Sequence, residues 1–367
     1  MSISSLRITD FRNLAQAELL PSESGLNIVC GNNGSGKTSI LEAIHYLGFG
    51  RSFRSSFSNS LIRHETNKFS LFAQVISDSS RQVAIGIERG TDGASRMRVA
   101  EKEALSISEL ASCLPTRIIN SQSHQLFESG PAYRRKYLDW GLFYQYESFM
   151  AIWRQFERAL KQRNSLLKDK RSKAEIDSWT AELLKYGLAL DQMRREYVTQ
   201  ILPVLIAICD DIFPIKGLEV NYYSGWDNEL TYEEALLRYF ADEYRMGFTQ
   251  TGPHRADLEM YIDGIEVKHI LSRGQQKLLI CAMILAQGSL LAKSANKRLV
   301  YLVDDLPAEL DQLSREKLIG ALIKQNSQVF ITAIEHNAVC DVLNDYSDVP
   351  MKVFHVKHGH VETMIEP

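Results

Sequence analysis

The chain lacks any run of about 20 consecutive apolar residues, the length that a membrane-crossing helix needs. Its opening stretch, MSISSLRITDFRN, has no apolar core of the kind a secretory leader carries. Both absences lead to the expectation of a cytosolic protein with no membrane partner. Cysteine is scarce. The five residues Cys30, Cys113, Cys209, Cys281 and Cys340 are odd in number, widely spaced and set mostly among apolar neighbours. That pattern fits reduced, buried thiols rather than a disulfide framework, and no Cys-x-x-Cys pair is present to make a zinc hook. A strong excess of one charge is missing too. A net charge of −3 argues against a protein that coats nucleic acid with its whole surface.

What is present is enough for a large core. The 367 residues are 45% apolar and 24% charged, an ordinary soluble composition for one large domain or two moderate ones. Charge is unevenly spread. Residues 131–200 hold 14 Lys/Arg against 9 Asp/Glu, and the remainder holds 28 against 36. A basic lobe on an acidic body is compatible with a local polyanion-binding surface, and equally with a solvated helical hairpin.

The sharpest local signal lies between residues 26 and 47. An apolar run (Leu26, Ile28, Val29, Cys30) reads as a buried strand. It breaks into Gly31-x-x-x-x-Gly36-Lys37-Thr38, after which residues 40–47 have helical spacing. Strand, glycine-rich loop and helix in that order form the context of a phosphate-binding P-loop. Gly31, Gly34 and Gly36 free the backbone to aim several N–H groups at one phosphate chain, and the helix adds the positive end of its dipole. The candidate nucleotide-binding residues are therefore Gly31, Asn32, Asn33, Gly34, Ser35, Gly36, Lys37, Thr38 and Ser39. Lys37 is placed for the β- and γ-phosphates and the Thr38 hydroxyl for Mg²⁺.

In chain order, alternation predicts strands over 6–13 and 15–20 before the P-loop strand. An antiparallel meander is predicted over 69–77, 82–88 and 96–99, and a further strand near 115–120. Residues 133–140, 147–168 and 174–212 have helical periodicity, with a charged break at 168–173. A strand near 217–223, a helix over 231–244 and a hairpin over 258–267 follow. From Ser272 the order becomes helix, strand 299–304, helix 313–324, strand 329–332, helix, and strand 352–356. The expectation is an α/β chain in three parts. Residues 1–120 and 251–367 form two halves of one nucleotide-binding domain, and 121–250 form an inserted, mainly helical lobe.

Leu299-Val-Tyr-Leu-Val-Asp304-Asp305 is an apolar strand ending in two acids, the arrangement with which a P-loop site holds Mg²⁺ and positions water. Asp304 is the candidate metal residue, and Asp305 the candidate general base beside Lys37 in the catalytic set. Leu271-Ser272-Arg273-Gly274-Gln275-Gln276-Lys277 opens a helix with a Ser-x-x-Gln capping box, which makes that helix end an anion site. The P-loop, this segment, the paired acids and the following Glu309-Leu-Asp311 occur in the order found in the ATP-binding-cassette ATPases, which the chain resembles. That family's signature reads Leu-Ser-Gly-Gly-Gln, and Arg273 stands here in place of its first Gly. The resemblance implies an α/β, ABC-type P-loop ATPase head and a head-to-tail homodimer with ATP at the interface. Ser272, Gly274 and Gln275 of one copy would cap the phosphate on Lys37 of the other.

Ile8-Thr9-Asp10-Phe11-Arg12-Asn13 resembles the opening of the SMC-like repair branch of these ATPases, and it makes Arg12 and Asn13 candidate nucleotide contacts. Gly130–Trp140, Lys161–Asn164 and Thr251–Asp257 resemble the bacterial recombination-repair members of that branch. The implied activity is an ATP-gated DNA-binding dimer that works with recombination mediator proteins to load recombinase at gaps. Gln122 is the candidate counterpart of the family's Gln loop, on the metal side. Two departures stand out. Asp305 replaces the usual Glu, from which slow hydrolysis is expected, and His336 falls a few residues late for the switch-loop His. For DNA the candidates are Arg154, Arg158 and Lys161 at i, i+4, i+7, together with Arg134, Arg135, Lys136 and the Arg51/Arg54 loop. The competing readings are the ATPase subunit of a membrane transporter, whose motifs lie closer together, and a small-molecule kinase.

Overall fold

Alternating burial at Ile3, Leu6, Ile8 and Phe11 gives the first strand one apolar face, and the same period runs through the meander that follows. In the computed structural model, which describes residues 1–305, 310–335, 339 and 348–364, these strands form one antiparallel sheet. Across all three sheets, the strands of the described residues are β1 (Ser2–Phe11), β2 (Leu14–Leu19), β3 (Gly25–Cys30), β4 (Lys68–Ile76), β5 (Gln82–Gly90), β6 (Ser95–Val99), β7 (Lys102–Glu103), β8 (Thr116–Ile119), β9 (Leu218–Tyr223), β10 (Asp257–Ile262), β11 (Ile265–Glu266), β12 (Val300–Val303), β13 (Gln328–Ala333), β14 (Met351–Lys357) and β15 (His360–Met364). The antiparallel sheet has the order β2-β1-β4-β5-β6-β7.

A second sheet has the order β15-β14-β3-β13-β12-β8 and is parallel from β14 to β8. Its central strands are buried on both faces, so their sequences read as continuous apolar runs. The P-loop helix, Lys37–Phe49, is buried at every position from Ser39 to Gly48. Its apolar residues share one core with side chains from both sheets. β13 separates the P-loop strand β3 from the acid-tipped strand β12, so three carboxyl ends converge at one edge.

The chain divides into two compact units. One comprises 1–123, 211–213 and 277–367 and carries both six-stranded sheets; the other comprises 124–210 and 214–276. The second unit is the mainly helical lobe, with helices Pro131–Gln145, Phe149–Lys168 and most of Lys173–Ile212, plus a small antiparallel sheet β11-β10-β9. The sequence boundary at 250/251 therefore differs from the one seen in the structure, at 276/277. The reason is pairing. β10 zips along β9 from Asp257↔Tyr223 to Ile262↔Leu218, and Asp257 neutralises Arg134.

The helix expected over 231–244 is broken at Tyr239 into Tyr232–Arg238 and Phe240–Met246. A helix at Ile107–Cys113 and the hairpin strand β15 were not predicted. Arg273–Ala295 is long and apolar enough to cross a membrane, although Gln287, Gly288 and Ser289 interrupt its apolar run. Its most apolar window is 72% buried inside the protein, which makes it a core helix. Glu309, His336 and the helix expected after β13 lie outside the described residues.

Candidate nucleotide site

The P-loop leaves β3 and is pinned on both sides. The Gly31 amide donates to the Ile334 carbonyl (3.1 Å), and the Gly359 amide donates to the Ser35 carbonyl (3.0 Å). Gly31 has φ +146°, and a Cβ there would stand 2.3 Å from the Val356 carbonyl oxygen. Gly36 has φ +122° with Leu14 and Asn13 against it, so no side chain fits at either position. Asn32, Asn33 and Gly34 form the exposed crest. Lys37 folds its ammonium onto the Gly31 and Asn32 carbonyls at 2.6 and 3.0 Å. Burial lowers its pKa, opposed by the carboxylates of Asp305 and Asp304.

Opposite the loop, the Thr38 hydroxyl donates to Asp304 Oδ1 at 2.9 Å. The Thr332 hydroxyl, at the end of β13, donates to the same oxygen at 2.8 Å and accepts the Asp305 amide at 2.7 Å. Burial raises the Asp304 pKa; the hydrogen bonds from Thr332 and Thr38 pull the other way. Asp305, two residues past the end of β12, takes φ +54°, in the left-handed region. A hydroxyl and two carboxylates are hard oxygen donors, a chemistry that fits Mg²⁺. Thr332 was missed by sequence reasoning because a Thr at a strand end carries no signal until the strand order is known.

Arg12 and Asn13 lie beside the loop. Asn13 donates to the Gly34 carbonyl (3.1 Å) and accepts from the Ser39 hydroxyl (2.8 Å). Arg12 sits at φ +55° in the β1–β2 turn and pairs with Glu42. Arg12, Asn13, Gly34, Gly36, Thr38 and Arg54 line a cavity of about 450 Å³. Gln122 is not placed as expected. It is exposed in the short turn Ser121–His124, its amide donates to Asn120 Oδ1, and Ser123, Lys277 and Asn120 face Asp304 across a small cavity instead.

In the lobe, Ser272 caps its helix as the motif requires. Its amide donates to Gln275 Oε1 (2.9 Å), and its hydroxyl accepts the Gln275 amide (3.3 Å). Ser272, Arg273 and Gly274 are exposed, and nothing stands within 4 Å of the position a Cβ on Gly274 would take. Arg273, in the place of a glycine, reaches Glu128 at 3.5 Å.

Of the DNA candidates, Arg134 is corrected, while its neighbour Arg135 is half-buried. Arg134 is buried and forked onto Asp257 at 2.7 and 2.8 Å, and Arg135 donates to the Ala256 carbonyl at 2.8 Å. These cations hold β10 to the helix Pro131–Gln145, and the Arg134 guanidinium has no face left for a phosphate. Arg154, Arg158 and Lys161 are exposed along one face of Phe149–Lys168, with Arg158 lying 5.7 Å from the Trp179 ring. His254 is largely buried, donating to the Thr249 carbonyl at 3.0 Å; Arg255 is exposed.

The family model for the RecF/RecN/SMC N terminal domain matches residues 2–362. The chain is 42% identical over 366 residues to the DNA replication and repair protein RecF of Shewanella sediminis (strain HAW-EB3), covering 100% of both chains. It is 39% identical over 362 residues to the protein of the same name from Cellvibrio japonicus (strain Ueda107), covering 98% of this chain and 99% of that one. Among solved structures, the recombination mediator protein RecF in complex with ATP superposes with a TM-score of 0.85 at 25% identity, covering 99% and 98% of the two chains. An Smc head bound to the C-winged helix domain of ScpA superposes at 0.57 with 15% identity, covering 99% and 98%, which is a likeness of fold alone.

Proposed function

The chain belongs to the RecF/RecN/SMC N-terminal domain family, and from that membership we propose that it is an ATP-binding DNA repair and replication protein of the RecF kind. The observation that carries this reading is the convergence of Lys37, Thr38, Asp304 and Thr332 at the carboxyl ends of β3, β12 and β13. The loop amides and Lys37 bind the phosphates of ATP. Thr38 and Asp304 would hold Mg²⁺, which would supply positive charge against the phosphates. Asp305 orients and deprotonates the attacking water, and its short arm makes turnover slow, so hydrolysis resets a switch.

The Ser272 end of the lobe helix is exposed, with open space at Gly274. It caps the γ-phosphate held by a second copy, so ATP drives head-to-tail dimerisation. The dimer clamps DNA, with Arg154, Arg158 and Lys161 meeting its backbone, and acts in the cytoplasm with recombination mediator proteins at gaps. A transporter ATPase subunit is the weaker reading, because it leaves the inserted helical lobe without a purpose.

Sedimentation with ATP and Mg²⁺, with and without DNA, tests this. The expected outcome is a nucleotide-dependent dimer that Ser272→Arg abolishes while monomeric ATP binding persists. ATP-independent oligomers, or no DNA binding at low salt, would overturn it.

A further inference from the structure

Glu42 stands one turn beyond Thr38 on the P-loop helix, and its carboxylate has no solvent exposure. A charge so placed survives only if every lone pair is matched. Here the matching comes from two other segments. Arg12 donates Nε to Oε2 (3.0 Å) and Nη2 to Oε1 (2.7 Å), a fork that fixes both atoms of the carboxylate in one plane. The remaining Arg12 nitrogen donates to the Ser60 carbonyl at 2.9 Å. The Ser52 hydroxyl also donates to Glu42 Oε1, and its oxygen accepts the amides of Arg54 and Ser55, each at 2.9 Å. Arg54 Nη1 approaches Oε2 at 3.5 Å, an ion contact longer than a hydrogen bond.

One buried carboxylate therefore ties the β1–β2 turn, the P-loop helix and the Arg-Ser-Phe loop at 51–60 together. Arg12 and Arg54 both line the cavity beside Gly34, Gly36 and Thr38. Two guanidiniums against one carboxylate leave a net positive wall facing that cavity. Without the carboxylate the two cations would repel each other and lose a defined position.

We propose that Glu42 is a positioning residue for the nucleotide site: it never touches the nucleotide, but sets Arg12 and Arg54 at the cavity wall and fixes the loop that carries Arg54. The proposal rests on the cavity being the nucleotide site. Its signature is coupling through the arginines, which simple packing would not produce.

Titration with a fluorescent ATP analogue in the full chain tests it, using Glu42→Gln, Arg12→Ala/Arg54→Ala and the triple variant, with Lys37→Ala alongside. Glu42→Gln is expected to weaken binding about tenfold in the natural background and less than about twofold once both arginines are gone. Ser52→Ala, which leaves the Arg12–Glu42 fork in place, is expected to speed amide exchange at Arg54 and Ser55, and Glu42→Gln to do the same. An equal loss in both backgrounds, or no loss with Glu42→Gln while Lys37→Ala abolishes binding, overturns the positioning role. Undiminished binding in Lys37→Ala would instead overturn the site itself.

Discussion

Thr332 spends its hydroxyl twice, donating to Asp304 and accepting from the Asp305 amide. Thr332→Val keeps the shape and removes both bonds. Turnover is expected to fall about tenfold with nucleotide affinity changed less than about threefold, because the residue touches the acids and not the loop. Steady-state ATPase rates set against equilibrium titrations would separate the two. Histidine gives a second prediction at this scale. Burial holds His45 and His254 at about 4, against 6.5 for the free side chain. As pH falls through 6.5 the unfolded chain takes up these protons and the folded chain does not. Stability is therefore expected to drop steadily from about pH 6.5 to about pH 4. His254→Gln should flatten that slope by removing one of the two groups, as read from denaturant midpoints across the range.

At the scale of elements, the P-loop, the meander, the helical hairpin and the capped helix at Ser272 were all legible, because each is written in adjacent residues through turn chemistry, periodicity or a cap. The sheet order was not. Nothing in the sequence places β13 between β3 and β12, and so nothing announces Thr332. Positive charge was equally ambiguous. Arg134 and Arg154 look alike in sequence, yet the first is consumed by an aspartate 123 residues away, and the second is exposed. That difference sets the prediction for the helix Phe149–Lys168. Reversing Arg154 and Arg158 to Glu should weaken DNA binding and reduce its salt dependence, with ATP affinity unchanged. The same reversal would be uninformative at Arg134. Removing Asp257 there would strand a buried cation, at an expected cost of about 3 kcal/mol in unfolding free energy.

At the scale of the whole molecule, each unit has its own sheets, and the ATPase unit is assembled from the two ends of the chain with the lobe between them. The long interval from Lys37 to Ser272 in sequence reflects that insertion. The same arrangement dictates an order of events during synthesis. β3 leaves the ribosome early, but its hydrogen-bonding neighbours are β13 and β14, and Asn27 meets Val329 across 302 positions. Until those strands emerge, an apolar strand with both edges bare must wait, a hazard for self-association that slow, non-local pairing prolongs. A chain stalled after Lys324 would carry the complete glycine-rich loop and still be unable to grip a phosphate, since the residues that pin the loop would not yet have been made.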